Sequence, residues 1–270
     1  MAHLSILLPV RNEGVNLKMA LRIIQATMTD IPHELLVIYD SLDDDSIPII
    51  ENMRRGYPQL RSVHNTLGKG VTRALRAGIE QAQGDYIFIL SADDMGPVLT
   101  VEDMVALMDQ GYDVVSSTRY SKGGRVLGGV VTGRFLSRMA NKLFYLLFDT
   151  TLTDATVSMK MYRRSIFEKI KLESNVGWSV SFELAIKSHL NNLKITEFPI
   201  ISINRFYGGS SSFRFWSWVT AYTKLFVWGL KSLHAHGKLR YQGLWKKSNI
   251  AGFKEVGDSQ LMKPMLRSVR

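Results

Sequence analysis

The chain has 270 residues, of which 46% are hydrophobic and 21% charged, a balance typical of a folded globular protein with one large or two small domains. Cysteine is absent, which excludes disulfide bonds, thiolate metal sites and cysteine nucleophiles. No window offers about 18 uninterrupted apolar residues, so we expect no membrane-spanning helix. The apolar run at the N-terminus is too short for a signal peptide.

The formal net charge of +10 is concentrated near the C-terminus. Residues 224–270 contain ten lysines and arginines but only two acidic residues, whereas the rest of the chain is close to neutral. A basic segment of this kind indicates an anionic partner, and acidic lipid headgroups suit it better than nucleic acid. We therefore expect no nucleic-acid partner.

Strand-like and helix-like patterns alternate along the first 120 residues. We predict strands at 4–10, 34–40, 60–64, 86–90 and 112–118, and helices at 15–28, 71–83 and near 101–110. Strands that alternate with helices at this spacing predict an α/β fold with a mostly parallel sheet and right-handed crossovers.

The second half of the chain has longer helical patterns. We predict helices at 134–148, 179–190 and 215–233, and strands at 156–162 and 194–204. The apolar face expected for the first of these helices consists of Phe135, Met139, Leu143, Phe144 and Leu147. We expect residues 1–212 to form the α/β domain, and residues 213–270 to form an amphipathic aromatic helix with a basic extension.

Acidic residues and glycines follow successive predicted strands. They are Glu13, Asp40, Gly68–Gly70 and the pair Asp93-Asp94. Ligands of an open parallel sheet bind beyond the carboxyl ends of the strands, and Mg²⁺ is usually shared between one or two carboxylates and substrate phosphates. The arrangement predicts a metal–diphosphate site. Alternatively, Asp94 only caps the turn before Gly96-Pro97.

Several motifs occur in a fixed order between residues 4 and 212. They are Leu8–Glu13, Val37–Ser46, Leu67–Gly70, Gly84–Asp94, Ser117–Tyr120 with Gly123-Gly124, Ser137–Asn141, Asp154–Thr156, and Ile195–Ile200 followed by Asn204-Arg205 and Gly208. In this order they resemble the motifs of the family-2, GT-A-type inverting glycosyltransferases. Within that family the chain is most similar to the dolichol- or polyprenyl-phosphate sugar transferases.

The resemblance implies a GT-A fold, a nucleotide-diphosphate sugar as donor, Mg²⁺ or Mn²⁺ as cofactor, and a polyprenyl phosphate as acceptor. It assigns the nucleotide sugar to Pro9, Arg11, Glu13, Asp40, Lys69, Ala92 and Asp93. Asp93 would also bind the metal, with Asp94 as a second possible ligand. The acceptor phosphate or the leaving diphosphate would be held by Arg119, Arg134, Ser137, Arg138 and Arg205, because guanidinium pairs bidentately with phosphate oxygens.

The chain departs from the family pattern at two positions. Tyr39 stands where the second-strand motif often has its first Asp, and Ser91 replaces the first Asp of the D-x-D motif. The metal site thus has one carboxylate fewer. Weaker metal binding, metal-independent transfer, and an inactive GT-A domain that serves as a binding or scaffold subunit are the three consequences we consider.

The acceptor leaves one catalytic role open. A lipid phosphate is already an anion and needs no general base, whereas a sugar hydroxyl does, and Glu183 is the candidate. In the alternative interpretation Glu183 is a solvated helix residue, and Arg134 and Arg138 lie on a solvated helix face.

The aromatic helix at 215–233 also has two interpretations. With the basic extension it could lie in a membrane interface, where a polyprenyl substrate must be reached; equally, it could cover the sheet or a second subunit. We expect peripheral association with the cytoplasmic membrane face through residues 213–270, and an oligomer is possible.

Overall fold

A computed structural model of the chain describes residues 3–128, 131–148, 150–203 and 215–236. Its strands are β1 Leu4–Val10, β2 His33–Tyr39, β3 Leu60–His64, β4 Tyr86–Ile89, β5 Val114–Thr118, β6 Arg125–Leu127, β7 Lys160–Arg163, β8 Ile195–Pro199 and β9 Ile201–Ile203. Its helices are α1 Gly14–Thr27, α2 Ile47–Arg54, α3 Val71–Gln81, α4 Val101–Asp109, α5 Val131–Leu147, α6 Ser179–Leu190 and α7 Phe215–Ala235. The predicted site residue Arg205 and the basic extension at 237–270 lie outside the described residues.

Seven strands form the central sheet, in the order β3-β2-β1-β4-β7-β5-β8. Its parallel pairs are β1 with β2 and with β4, β2 with β3, and β5 with β8, whereas β7 is antiparallel to both β4 and β5. The predicted mostly parallel sheet is confirmed. As a result, the carboxyl ends of the six parallel strands and the start of β7 share one edge, which we call the site edge.

The central strands are apolar on both faces, and helices cover each face of the sheet. Leu4, Ile6 and Leu8 of β1 pack with α1 and α4, while Leu7, on the opposite face, packs with α3 and α6. Alternate side chains of a strand point to opposite faces, so a continuous apolar run is what a two-sided sheet requires. The sheet is therefore a rigid base for the loops of the site edge.

Apart from the apolar side chains on the two faces of the sheet, a separate apolar cluster joins α5, α6 and α7. Phe144 and Phe148 from α5 and its C-terminal end pack with Phe182 of α6 and Leu233 of α7. Helix α7 lies so close to Phe148 that a Cβ atom added at Gly229 of α7 would be 2.7 Å from the Phe148 ring. The aromatic helix α7 is thus packed onto the body of the protein along one face.

The structure differs from the predicted packing of α5. Phe144 is buried, but Phe135, Met139 and Leu143 are 62%, 55% and 48% exposed, and Leu136 beside them is 48% exposed. Periodicity predicts that apolar side chains share a face, but it does not say whether anything packs on that face. The N-terminal half of α5 therefore presents an apolar surface to its surroundings.

Two irregular regions on the site edge were not predicted from the sequence. The strand predicted at 156–162 begins only at Lys160, and the residues before it form a loop. The strand predicted at 194–204 is divided at Ile200 into β8, which pairs with β5, and β9, which pairs with β6. Short elements such as α2 and the three-residue β6 were also missed, because neither is long enough to show a period.

Candidate active site

The turn after β1 is fixed by the acidic turn after β2. The Asp44 carboxylate accepts hydrogen bonds from the backbone amides of Asn12 (3.1 Å) and Ser46 (2.9 Å), and the Ser46 hydroxyl accepts one from the amide of Glu13 (3.2 Å). Pro9 is half-buried in β1, and Arg11 is exposed at the turn. The structure thus places these predicted nucleotide-site residues at the site edge.

Asp40 organises the glycine-rich turn that follows β3. Its two carboxylate oxygens accept hydrogen bonds from Asn65 Nδ2 and from the backbone amide of Gly70, each at 2.7 Å. Gly68 and Gly70 have φ angles of +104° and +120°, which side chains larger than glycine rarely adopt. Lys69 is held exposed between them.

An aromatic stack adjoins Asp40. Tyr39, the residue that departs from the family pattern, stacks on His64 with ring centroids 5.3 Å apart and an interplanar angle of 17°. Tyr39 and His64 are also backbone partners in the β2–β3 register, so the stack adds a side-chain contact where the two strands end.

The two carboxylates after β4 have different surroundings. Asp93 is half-buried and accepts a hydrogen bond from the Ser91 hydroxyl, while Ala92 is buried beneath it. Asp94 is 6% exposed and accepts hydrogen bonds from the amides of Gly96 (3.3 Å) and Ile203 (3.2 Å) and from the Ser202 hydroxyl. Burial raises the pKa of Asp94 despite these donors.

Asp94 therefore ties the turn after β4 to β9, and Asp93 is the carboxylate that remains accessible. The close approach of the two segments depends on Gly96, since a Cβ atom there would lie 1.8 Å from the Ile201 carbonyl oxygen. The hydrogen bond to the Gly96 amide agrees with the alternative interpretation of Asp94 as a turn cap.

The oxygen atoms of Asp93 and Ser91 can supply only part of the coordination sphere of a metal ion. Within the residues that the structure describes, no group of three or more His, Cys, Asp or Glu side chains is arranged to hold a metal ion. One carboxylate, Asp93, stands beside the Ser91 hydroxyl. This set fits a hard cation that takes its remaining oxygen ligands from a diphosphate and water, as Mg²⁺ commonly does.

Arg119 at the end of β5 is held by a buried carboxylate. Its Nε and Nη2 atoms donate to the two oxygens of Asp154 at 2.6 and 2.9 Å, and Asp154 is 0% exposed. Burial alone would lower the pKa of Arg119, but the charge of Asp154 and its hydrogen bonds, with smaller effects of Tyr120 and Asp94, together raise that pKa. The guanidinium is therefore permanently charged and fixed in position.

Tyr120 and α5 complete a cationic cluster with Arg119. The Tyr120 hydroxyl donates a hydrogen bond to Ser137 Oγ at 2.8 Å. The guanidinium carbons of Arg119 and Arg138 lie 5.1 and 5.5 Å from the centre of the Tyr120 ring. Arg134 is half-buried one turn earlier on α5. The structure thus brings together three of the residues predicted to hold the acceptor phosphate.

The loop at 150–157, which carries Asp154, is supported by three polar side chains, two buried and one half-buried, whose role the sequence did not reveal. Glu197 of β8 accepts hydrogen bonds from the amides of residues 153 and 154 at 2.7 and 3.0 Å. Lys160 of β7 donates to the carbonyls of residues 155 and 157, and Asn141 of α5 accepts from the amides of residues 155 and 156. A charged residue within an otherwise apolar strand was the available signal.

Burial shifts the pKa values of Lys160 and Glu197, the two ionisable side chains that support the loop at 150–157. It raises the pKa of Glu197 to about 7 and lowers the pKa of Lys160 to about 7. Lys160 is fully buried and Glu197 is half-buried, and removal from solvent disfavours the charged form of each.

Glu183 is neither solvated nor free. It is 1% exposed, accepts hydrogen bonds from the amides of Glu173 and Ser174 at 2.8 Å each, and forms an ion pair with Lys187 at 2.6 Å. Both carboxylate oxygens hold the turn at 173–174 against α6.

Tyr222 of α7 was also missed by the sequence analysis. Its ring stacks on Phe182 at 5.3 Å and on Trp218 at 5.0 Å. Its buried hydroxyl has no hydrogen-bond partner in the described part of the chain. Burial raises the pKa of Tyr222, and the charges of Arg119 and Asp154 also act on it.

Solved structures with the same architecture include glucosyl-3-phosphoglycerate synthase from Mycobacterium tuberculosis in complex with phosphoglyceric acid. The TM-score is 0.61 at 18% identity, over 89% of this chain and 82% of the other. The same enzyme in complex with Mn²⁺, UDP and glucosyl-3-phosphoglycerate gives a TM-score of 0.60 at 18% identity, with the same shares of both chains covered. These likenesses establish the GT-A fold predicted from the sequence.

A sequence model of glycosyl transferase family 2 matches residues 5–171, and the chain belongs to this family. Similar proteins include dolichol-phosphate mannosyltransferase from Pyrococcus furiosus, 23% identical over 72% of this chain and 55% of the relative. Undecaprenyl-phosphate 4-deoxy-4-formamido-L-arabinose transferase from Pseudomonas savastanoi pv. phaseolicola is 30% identical over 61% of this chain and 48% of the relative. The chain thus spans about half the length of the relatives it matches.

Proposed function

We propose that this protein transfers a sugar from a nucleotide-diphosphate sugar to a polyprenyl phosphate, with inversion at the anomeric carbon. The observation that carries the proposal is the position of the cluster formed by Arg119, Ser137 and Arg138. Two of its members, Ser137 and Arg138, lie on the same helix, α5, as the exposed apolar side chains Phe135 and Met139. A phosphate attached to a long apolar chain needs both kinds of surface next to each other.

The names of the relatives support this acceptor. They are transferases that the names link to dolichol phosphate and to undecaprenyl phosphate. For the donor, we assign the nucleotide to Pro9, Arg11, Glu13, Asp40, Lys69 and Ala92, all of which lie at the site edge. Rigid hydrogen bonds around Asp40 and Asp44 give that pocket a preorganised backbone.

The chemistry requires an in-line attack and a stabilised leaving group. A phosphate oxygen of the acceptor attacks the anomeric carbon while the bond to the donor diphosphate breaks, and no proton has to be removed from the nucleophile. Arg119, fixed by Asp154, and Arg138 supply guanidinium groups at the point where two anionic groups must approach. We include Arg134 and Arg205 in the phosphate site on the resemblance alone.

A divalent cation, Mg²⁺ or Mn²⁺, would neutralise charge on the diphosphate when bound. We assign its protein ligand to Asp93, which the Ser91 hydroxyl orients. Asp94, whose oxygens accept hydrogen bonds from β9 and from its own turn, we assign to structure.

Transfer to a sugar hydroxyl is the second possibility. It needs a general base, and the only candidate from the sequence, Glu183, uses both oxygens to bind the turn at 173–174 and Lys187. No observation favours this reaction over transfer to a phosphate.

Exposed side chains of α7 support a location at a membrane surface, which we propose is the cytoplasmic one. The helix exposes Trp216, Val219 and Val227, and Trp228 is 39% exposed although Lys187 of α6 lies over its ring at 5.8 Å. Within the ranges that the structure describes, no helix combines the length and apolar character needed to cross a bilayer. We propose that α7 and the basic extension lie against the membrane surface.

Transfer assays with two acceptors test the function. We expect transfer to a polyprenyl phosphate but not to the matching polyprenol, partial or full loss with EDTA, and an inverted anomeric configuration by NMR. Arg138→Ala should lower kcat/KM for the lipid about 10- to 100-fold, because a charge-assisted hydrogen bond is lost. Arg22→Ala, an exposed arginine on α1, is the matched control. Transfer to the polyprenol at an equal rate would overturn the proposal.

A further inference from the structure

Little apolar packing holds the N-terminal half of α5 to the body of the protein. Phe135, Leu136 and Met139 are largely exposed, and the helix enters a described apolar cluster only at Phe144. Three polar side chains make the specific contacts earlier on the helix. Asn141 reaches the loop at 150–157, and Ser137 and Arg138 meet Tyr120.

Tyr120 can anchor Ser137 and Arg138 of α5, because Tyr120 is itself fixed to the end of β5. Its backbone amide donates to Thr118 Oγ1 at 3.1 Å, and it directly follows Arg119, which is held by Asp154. Its ring is half-buried, with one guanidinium at 5.1 Å from β5 and another at 5.5 Å from α5. One aromatic ring thus connects two cations from two different elements.

The charges of the two arginines are not balanced in the same way. Arg119 is neutralised by Asp154, but Arg138 has no carboxylate partner in the part of the chain that the structure describes. The face of an aromatic ring attracts a guanidinium without neutralising it. The cluster therefore holds an uncompensated positive charge that suits a phosphate.

The hydroxyl of Tyr120 adds a second effect. Because it donates to Ser137 Oγ, the Ser137 proton is left free to be donated to another acceptor. A phosphate oxygen beside Arg138 is an acceptor of the required kind.

We propose that Tyr120 is a positioning residue for the acceptor phosphate: its ring and hydroxyl hold Arg138 and Ser137 of α5 opposite Arg119. The inference rests on the proposed function for the identity of the anion. Its structural part, that Tyr120 attaches the N-terminal half of α5, does not depend on the acceptor.

Steady-state kinetics of two variants test the effect on the acceptor. With a polyprenyl phosphate in detergent, Tyr120→Phe should raise the KM for the lipid about threefold through loss of one hydrogen bond, and Tyr120→Leu about 10-fold or more through loss of the ring face as well. The KM for the donor should change less than twofold. Tyr112→Phe, at the other end of β5, is the matched control and should leave both KM values unchanged.

A double-mutant cycle separates positioning from an independent contact. If Tyr120 acts through Arg138, Tyr120→Leu with Arg138→Ala should be little worse than Arg138→Ala alone, because the two changes remove one arrangement. Fully additive effects on the KM for the lipid would overturn the inference.

Hydrogen exchange provides a readout that needs no activity. Amides at 134–141 should exchange at least about threefold faster in Tyr120→Leu than in the wild-type protein, and Tyr112→Phe should not change them. Unchanged exchange would refute the attachment whatever the acceptor is. If the wild-type protein does not use the lipid phosphate, the proposed function fails, and exchange alone then decides whether Tyr120 positions α5.

Discussion

At the scale of single residues, the adjacent carboxylates Asp93 and Asp94 have separate tasks. The sequence presents them as a pair at the end of a buried strand, and either could bind a cation. Their hydrogen bonds separate them, because Asp94 is buried and holds β9 while Asp93 is accessible beside Ser91. Two neighbouring residues of the same type can thus differ entirely in the partners that the fold supplies.

We expect Asp93→Asn to reduce transfer about 100-fold or more and to weaken the response to Mn²⁺, because the proposed metal ligand loses its charge. Asp94→Asn should retain the amide hydrogen bonds to Oδ1 and change the Mn²⁺ response less than about threefold. Titration of transfer rate against Mn²⁺ concentration measures both. Equal losses of Mn²⁺ affinity in the two variants would contradict this division.

Ser91 occupies the position that we interpreted from the sequence as the first Asp of the D-x-D motif. Its hydroxyl can orient Asp93 but brings no charge. We expect Ser91→Asp to lower the Mn²⁺ concentration for half-maximal rate about 10-fold, since a second carboxylate would join the site. Ser91→Asn, of similar size but neutral, is the control, and an equal gain in that variant would count against a charge effect.

At the scale of elements, the loop at 150–157 connects the sheet to the cluster formed by Arg119, Ser137 and Arg138. It has no regular structure, and side chains from β7, β8 and α5 satisfy its backbone groups instead. Buried backbone donors and acceptors must be paired, which explains why ionisable residues occur at Lys160 and Glu197 in strands of the central sheet. Through Asp154 this loop fixes Arg119.

The raised pKa of Glu197 predicts a pH effect on stability. Its folded value of about 7 lies above the unfolded value of 4.5, so the folded state holds the extra proton between these values. The contribution of Glu197 to stability is therefore fully present below about pH 4.5 and is lost as the pH rises to about 7, by as much as about 3 kcal/mol. Glu197→Gln should abolish this fall, because the amide keeps the same acceptor for residues 153 and 154.

Thermal unfolding at pH 5 and pH 7.5 measures the difference. The Tm of Glu197→Gln relative to the wild-type Tm should increase from pH 5 to pH 7.5. The same difference for Glu168→Gln, at an exposed position, should not change. A constant difference at both pH values would mean that Glu197 is not the titrating group.

At the scale of the whole molecule, the exposed apolar surfaces are concentrated on α5 and α7. Exposed patches of this kind mark interaction surfaces rather than packing errors. The proposed reaction gives them one purpose, because an interfacial helix next to a phosphate site allows a lipid acceptor to be reached without leaving the membrane.

Liposome flotation tests this arrangement in the whole 270-residue chain. We expect binding to vesicles that contain anionic lipid, weakened by salt, and reduced about fivefold or more in the double variant Trp216→Glu/Val227→Glu. Ala106→Glu on α4 adds a charge at an exposed helix position and should have no effect. Removing α7 altogether would be a poor test, because Leu233 and Gly229 pack into the core.

The sequence by itself determined the elements that have a strong period and the motifs that follow them. The alternation of strands and helices, the limits of β3 and α6, and the position of acidic residues at strand ends all follow from local patterns. Motifs in order also revealed the family, because the chain must place the same groups at the same strand ends.

Only the tertiary structure decided which of those residues are free and which are engaged. The exposure of Phe135, the burial of Glu183 and the partners of Asp94 depend on segments far away in the sequence. The hydrogen bonds that support the loop at 150–157 also depend on distant segments, and so does the contact between Tyr120 and α5. Local periodicity carries information about a residue's own element, whereas burial and pairing depend on the element that packs against it.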